Sequence, residues 1–163
     1  MTLDAGQRRL VLSHPAGWIA SGFGAGLSPF ASGTVGSAVS LIPWLALREL
    51  YWPWYMLAVA ASFAIGVWAS GVVIRKLGIE DPGVVVWDEF VGQWIALIPL
   101  VVQPRSGIWI ALAFVLFRVF DVWKPWPASW ADRQVKGGFG AMLDDVFAGA
   151  YAAIALAVAV SFF

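Results

Sequence analysis

Two pairs of adjacent acidic residues each stand just before an apolar segment of the sequence. Asp88 and Glu89 lie in VVVWDEFVGQW, and Asp144 and Asp145 lie in AMLDDVFAG. Neighbouring helix residues point about 100° apart, but in the first turn of a helix both side chains can reach one side through different rotamers. The helix dipole alone also favours acids at a helix N-terminus. We expect each pair to open an apolar helix, with Asp144 and Asp145 opening the last one. Because the arrangement occurs twice, we interpret both pairs as candidate ligands of one metal site.

A further carboxylate, Asp121, lies in FRVFDVWKPWP between the basic residues Arg118 and Lys124. The spacing i, i+3, i+6 places the three on one helix, which Pro125 ends. An ordinary surface ion pair explains Arg118 and Asp121 equally well. The functional interpretation makes Asp121 another metal ligand and assigns Arg118 and Lys124 to phosphate. Mg²⁺ suits this interpretation because it prefers carboxylate oxygens and water and leaves positions open for phosphate.

The segment GFGAGLSPFASGTVGS, residues 22–37, is dense in glycine and precedes an apolar helix. Free backbone N–H groups at a helix start can bind an anion, so Gly24, Ser28 and Thr34 are candidate substrate-binding residues. The segment lacks the GK[ST] ending of a Walker A loop and follows no predicted strand. A flexible loop at a membrane surface is the alternative interpretation. A second glycine-rich stretch after Lys136 predicts either another loop or a helix entry, and it comprises Gly137, Gly138 and Gly140.

The composition is typical of a membrane protein. Of the 163 residues, 61% are hydrophobic and 12% are charged, whereas soluble domains are about half apolar and about a quarter charged. The net charge of +0 and the lack of a basic run indicate no nucleic-acid partner. The absence of cysteine excludes thiolate metal ligands and cysteine nucleophiles. The length predicts a single domain over residues 1–163.

Several apolar segments must position these residues. Residues 50–74 carry no charge and are long enough to span a bilayer, which takes about 20 apolar residues; a helix buried in a soluble core is the alternative. The final segment, 146–163, is barely long enough to cross, or it packs against another helix through its small residues. With a short helical turn at 15–20, these segments predict an all-α, membrane-embedded or membrane-apposed bundle of about six helices.

The block 90–117 decides whether the acidic residues can meet. If it crosses the membrane once, Asp88 and Glu89 lie on the opposite side from Asp121. If it turns back at Gln103–Gly107, they lie on the same side. Each arm is shorter than the roughly 30 Å hydrocarbon core, and prolines flank the midpoint. We therefore predict a helical hairpin over residues 84–123.

Four segments together resemble the phosphatidylglycerophosphatase A family. They are GFGAGLSPFASGTVGS, WDEFVGQW, FRVFDVWKPWP and DRQVKGGFGAMLDDVFAG, and the resemblance covers residues 17 to about 152. It implies a Mg²⁺-dependent enzyme of the bacterial inner membrane, with its active site facing the cytoplasm. The implied reaction converts phosphatidylglycerophosphate to phosphatidylglycerol and phosphate. Where some relatives carry His before the double glycine this chain has Lys136, so a cation is the shared feature.

The resemblance also implies the site residues. The family's acidic residues correspond here to Asp88, Glu89, Asp121, Asp144 and Asp145. We expect all five to be metal ligands, with Asp88, Glu89, Asp121 and Asp145 catalytic and with water or a carboxylate attacking phosphorus. Substrate binding would involve Gly24, Ser28, Thr34, Arg118, Lys124 and Lys136. Two rival interpretations remain. One is a different lipid-phosphate phosphatase or a broad phosphomonoesterase. The other is a non-enzymatic polytopic membrane protein, a transporter or assembly factor, whose charges act as ion-pair glue. Assembly into a homo-oligomer is left open.

Overall fold

A computed structural model describes residues 3–162. Within that range the chain forms nine α-helices, one short 3₁₀ helix and no strand, which confirms the predicted all-α class. The predicted number of about six is low because α1 and α8 were not expected and because a break at Leu97 separates α6 from α5. The helices are α1 Ala5–Leu12, α2 Pro15–Ala20, the 3₁₀ helix Ala25–Leu27, α3 Ser32–Leu47, α4 Trp52–Leu77, α5 Trp87–Ala96, α6 Ile98–Val102, α7 Gly107–Trp123, α8 Ala128–Gln134 and α9 Gly137–Phe162.

Two helices are long and apolar enough to cross a membrane. α4 and α9 each contain 26 residues, and their most apolar windows have mean hydropathies of 2.1 and 1.8. Only 33% of each window is buried within the protein, so neither is the enclosed core helix of a soluble protein. α4 includes the predicted span at 50–74 from Trp52 onward. The other predicted segment, 146–163, belongs to α9, although Phe163 lies outside the described residues.

The hairpin predicted over residues 84–123 is confirmed. α5 and α6 lead away from the acidic residues, residues 103–106 turn the chain, and α7 returns. The helical part begins at Trp87, so Asp88 and Glu89 occupy the first turn of α5 as expected. α5 packs against α9 at two glycines: a Cβ atom added to Gly149 would lie 2.4 Å from the carbonyl oxygen of Gly92. The absence of a side chain at Gly149 therefore lets the two helices pack closely at this point.

The expectation that Asp144 and Asp145 open the last helix is wrong. α9 begins at Gly137, so both acids lie two turns inside it. The glycine-rich stretch is therefore a helix entry. Its glycines permit close packing, because a Cβ added to Gly138 would lie 2.0 Å from the Val67 carbonyl oxygen on α4. The same substitution at Gly140 would place Cβ 2.0 Å from the Val135 carbonyl oxygen.

Candidate metal centre

Three carboxylates from three different helices converge at one point in the bundle. Glu89 on α5, Asp121 on α7 and Asp145 on α9 each offer an oxygen atom, and these atoms lie within 4.8 Å of one another. All three residues are buried, at 8%, 9% and 3% exposed. The hairpin brings the first two together, and the contact between Gly92 and Gly149 brings α9 to them. The two acidic segments therefore meet on one side of the bundle.

Arg118 and Ser37 hold two of these carboxylates. Nη1 of Arg118 donates a hydrogen bond to Oε2 of Glu89 and lies 2.9 Å from Oδ2 of Asp121. Ser37 Oγ donates to the same Glu89 oxygen at 2.7 Å. The guanidinium therefore offsets part of the negative charge and fixes the orientation of Glu89. Arg118 was predicted to bind phosphate. In the structure, its Nη1 atom contacts the carboxylates of Glu89 and Asp121.

Lys124 forms a second ion-pair group at the edge of the site. Its Nζ lies 2.5 Å from Oδ1 of Asp132 and 2.7 Å from Oδ2 of Asp144. Lys124 has a left-handed backbone (φ 47°) immediately after α7, which lets its side chain reach α8 and α9. Burial lowers the pKa of the ammonium, but the hydrogen bonds to both carboxylates outweigh that effect, so its pKa lies above the ordinary value. Lys124 stays charged and keeps Asp144 beside the site.

The surroundings of Asp145 indicate whether a cation fits the site. Its Oδ2 atom is buried and accepts no hydrogen bond within residues 3–162. A buried carboxylate oxygen without a partner costs free energy unless a cation or proton satisfies it. The five acidic residues Asp88, Glu89, Asp121, Asp144 and Asp145, which we call the acidic cluster, face two cations, Arg118 and Lys124. The site therefore fits a hard divalent cation.

The carboxyls of α5 lie in an environment that disfavours their charge. α5 contains ten residues and is too short to cross a bilayer. Burial raises the pKa of Asp88, and the charges of Glu89 and Asp144 raise it further. Burial and the charge of Asp121 raise the pKa of Glu89, and Arg118 opposes this only in part. A metal ion bound here would therefore compete with protons for these oxygens.

The acidic cluster lines a cavity of about 260 Å³. Drug-sized ligands occupy clefts of roughly 300–1,000 Å³, so this volume suits a smaller polar group. Lys124 and Lys136 also line it, and Lys136 lies 3.0 Å from Glu80 at the exposed rim.

Four predicted substrate-binding residues do not line this cavity, and Arg118 is one of them. Ser28 lines a neighbouring polar pocket, and its hydroxyl donates to the Phe30 carbonyl. Gly24 adopts a left-handed turn before the 3₁₀ helix. Thr34 is exposed and lines an apolar groove beside α7.

The sequence reasoning missed other residues of the cavity wall. Ser32 and Gly33 line the cavity where Thr34 was expected, because α3 begins at Ser32. Ser37 was quoted only as part of the glycine-rich segment, and its bond to Glu89 spans 52 positions of sequence. Asp132 also lines the cavity and pairs with Lys124, and no role was predicted for it. The sequence does contain a signal for Ser37, because it is a hydroxyl residue one helical turn after Gly33 in an otherwise apolar helix.

Comparison with known proteins agrees with this geometry. The family model described as phosphatidylglycerophosphatase A matches residues 18–160, nearly the whole chain. The chain belongs to the phosphatidylglycerophosphatase A family. It is 43% identical over 150 residues to phosphatidylglycerophosphatase A of Escherichia coli strain K12, covering 92% of this chain and 86% of the relative. The corresponding protein of Haemophilus influenzae is 37% identical over 155 residues, with 94% of each chain covered.

A third relative carries a different headgroup in its name. A candidate phosphatidylinositol-3-phosphatase of Bacteroides thetaiotaomicron is 43% identical over 147 residues, covering 86% of this chain and 91% of the relative. No solved structure matches the chain significantly. As a member of the phosphatidylglycerophosphatase A family, the protein is a phosphoric monoester hydrolase acting on a lipid substrate. This excludes the non-enzymatic alternative.

Proposed function

We propose that the protein hydrolyses phosphatidylglycerophosphate to phosphatidylglycerol and inorganic phosphate with Mg²⁺ as its cofactor. The observation that carries the proposal is the convergence of oxygens from Glu89, Asp121 and Asp145 within 4.8 Å. Asp88 and Asp144 line the same cavity and complete the proposed ligand set. When bound there, Mg²⁺ would neutralise charge on the phosphoryl oxygens and help to activate water.

The side chains of the site have separate tasks in this reaction. An oxygen–phosphorus bond forms from water, the bond between phosphorus and the glycerol oxygen breaks, and the glycerol oxygen takes up a proton. Lys124, which uses two of its three N–H donors on Asp132 and Asp144, retains one for a phosphoryl oxygen. Arg118 keeps Glu89 and Asp121 in place. Lys136 at the rim attracts the anionic headgroup.

The position of the acidic cluster along α9 supports a site at headgroup depth. Asp145 is eight residues after Gly137, about 12 Å along the helix, and about 25 Å remains from Asp145 to Phe162. A bilayer core is about 30 Å thick, so the cluster would lie near one edge of it. Exposed tryptophans at this end would sit in the interfacial layer, and they are Trp123, Trp126 and Trp130.

The distribution of basic residues supports a cytoplasmic site in the bacterial inner membrane. Cytoplasmic ends of membrane proteins carry an excess of Lys and Arg. The opposite end of the bundle holds Arg48 and Arg105. The end with the cavity holds a larger group, namely Arg8, Arg9, Arg75, Lys76, Lys124, Arg133 and Lys136.

The decisive experiment measures phosphate release by the purified protein in mixed micelles, with Mg²⁺ and with a chelator. Phosphatidylglycerophosphate, phosphatidylinositol 3-phosphate and phosphatidic acid are compared as substrates. We expect rapid Mg²⁺-dependent release from the first and much slower release from the others. Preference for phosphatidylinositol 3-phosphate, or unchanged activity in the chelator, would contradict the proposal.

A further inference from the structure

An apolar groove runs along the outer face of α7. It extends from Phe114 to Trp123, is closed on one side by Thr34 of α3, and has a volume of about 570 Å³. Val115, Val119 and Val122 form its floor and are all exposed. Arg118 is the one charged residue among the described residues that line it.

The groove and the acidic cavity share a wall. Gly33 lines the cavity, whereas the next residue, Thr34, lines the groove. A Cβ atom at Gly33 would lie 2.1 Å from Oε1 of Glu89 and 3.5 Å from Nη1 of Arg118. The start of α3 and the Arg118 guanidinium therefore lie between the groove and the carboxylates.

Charge and length both indicate what occupies the groove. Among residues 3–162, Arg118 makes its hydrogen bonds through Nη1, which leaves the donors on Nε and Nη2 for an anion. From Trp123 to Phe114 the groove is about 14 Å long, close to the depth of one leaflet, half of a bilayer core of about 30 Å. The Trp123 end of the groove lies beside the acidic cavity, which has room for a phosphorylated headgroup only.

We propose that this groove seats an acyl chain of the lipid substrate while its headgroup enters the acidic cavity past Arg118. The proposal rests on the proposed function, because it assigns the rest of the same lipid. The groove then fixes the depth of the scissile phosphate, and the enzyme should distinguish long acyl chains from short ones. Val115 is eight residues before Trp123, about 12 Å along the helix. Oleoyl chains reach that depth and hexanoyl chains do not.

The test compares Val115→Trp with the wild type on dioleoyl and dihexanoyl phosphatidylglycerophosphate in the same detergent micelles. The matched control is Val158→Trp on α9, since Val115 and Val158 are 54% and 51% exposed. We expect Val115→Trp to lower kcat/KM about ten-fold or more for the dioleoyl substrate and to leave the dihexanoyl substrate near wild type. Val158→Trp should match the wild type on both.

Three other outcomes would refute either the groove or the proposed function. Equal losses on both substrates with Val115→Trp would refute the groove and indicate damage to the catalytic centre. No loss on either would also refute it, because the groove would then hold only bulk lipid. A wild-type protein inactive on both substrates would instead refute the proposed function.

Discussion

The contact between Gly92 and Gly149 sets the spacing of the acidic cluster, and Gly149→Ala tests this. The added Cβ would lie 2.4 Å from the Gly92 carbonyl oxygen, whereas ordinary contacts begin at 3.4 Å. α5 and α9 must therefore separate by about 1 Å. Glu89 lies three residues before Gly92, and Asp145 lies four before Gly149, so their oxygens separate as well. A misplacement of this size costs about 100-fold in rate.

The stability of Gly149→Ala separates a local effect from unfolding. Overpacking costs about 1–3 kcal/mol, and alanine regains about 1 kcal/mol of helix propensity. The net cost of about 0–2 kcal/mol should lower the melting temperature by no more than about 8 °C, so the protein stays folded in the assay. The assay measures kcat/KM against Mg²⁺ concentration, with thermal unfolding followed in parallel. Gly107→Ala is the control, because no atom lies within 4 Å of its added Cβ. Activity of Gly149→Ala within about three-fold of wild type would refute the reasoning, because it falls far short of the 100-fold cost.

Three further predictions concern the cluster itself. Asp121→Asn should lower phosphate release by at least about 100-fold, which is the upper range for residues that only orient ligands. Membrane fractionation should show unchanged insertion of this variant. Normal hydrolysis would remove Asp121 from the site. Ser37→Ala should weaken Mg²⁺ affinity about 10–100-fold and regain activity at high Mg²⁺, and a loss that Mg²⁺ cannot restore would contradict an orienting role. The pKa values of Asp88 and Glu89 are raised above their ordinary values of 3.8 and 4.5. The folded metal-free protein therefore binds protons more tightly than the unfolded chain. Its stability should fall as the pH rises above about 4. The increase in melting temperature on adding Mg²⁺ should thus be larger at about pH 8 than at about pH 5, and the reverse order would show that these carboxyls do not hold the ion.

Local sequence signals predicted the parts of the fold that depend on nearby residues. Asp88 and Glu89 precede an apolar run and do occupy the first turn of α5. Pro99 lies in the first turn of α6 and Pro104 lies within the hairpin turn at residues 103–106, as expected because proline removes a backbone donor and disfavours a helical residue before it. In both cases the local structure is determined by residues within a few positions in the sequence.

Features that depend on distant contacts were not predictable in this way. Gly137 and Gly138 resemble a loop because glycine is a poor helix former, yet the helix is stabilised by packing against α4, seen at Val67. The bond from Ser37 to Glu89 likewise joins different helices. Such contacts follow from how the helices cross, which no short segment encodes.

The central claim is that carboxylates from α5, α7 and α9 bind one divalent cation together. Electron paramagnetic resonance of Mn²⁺ titrated into the protein tests this without relying on turnover. We predict a bound-ion signal in the wild type that Mg²⁺ displaces, and binding at least about ten-fold weaker in Asp121→Asn and Asp145→Asn. A wild-type protein that binds no Mn²⁺, or variants that bind it as tightly as the wild type, would contradict the account.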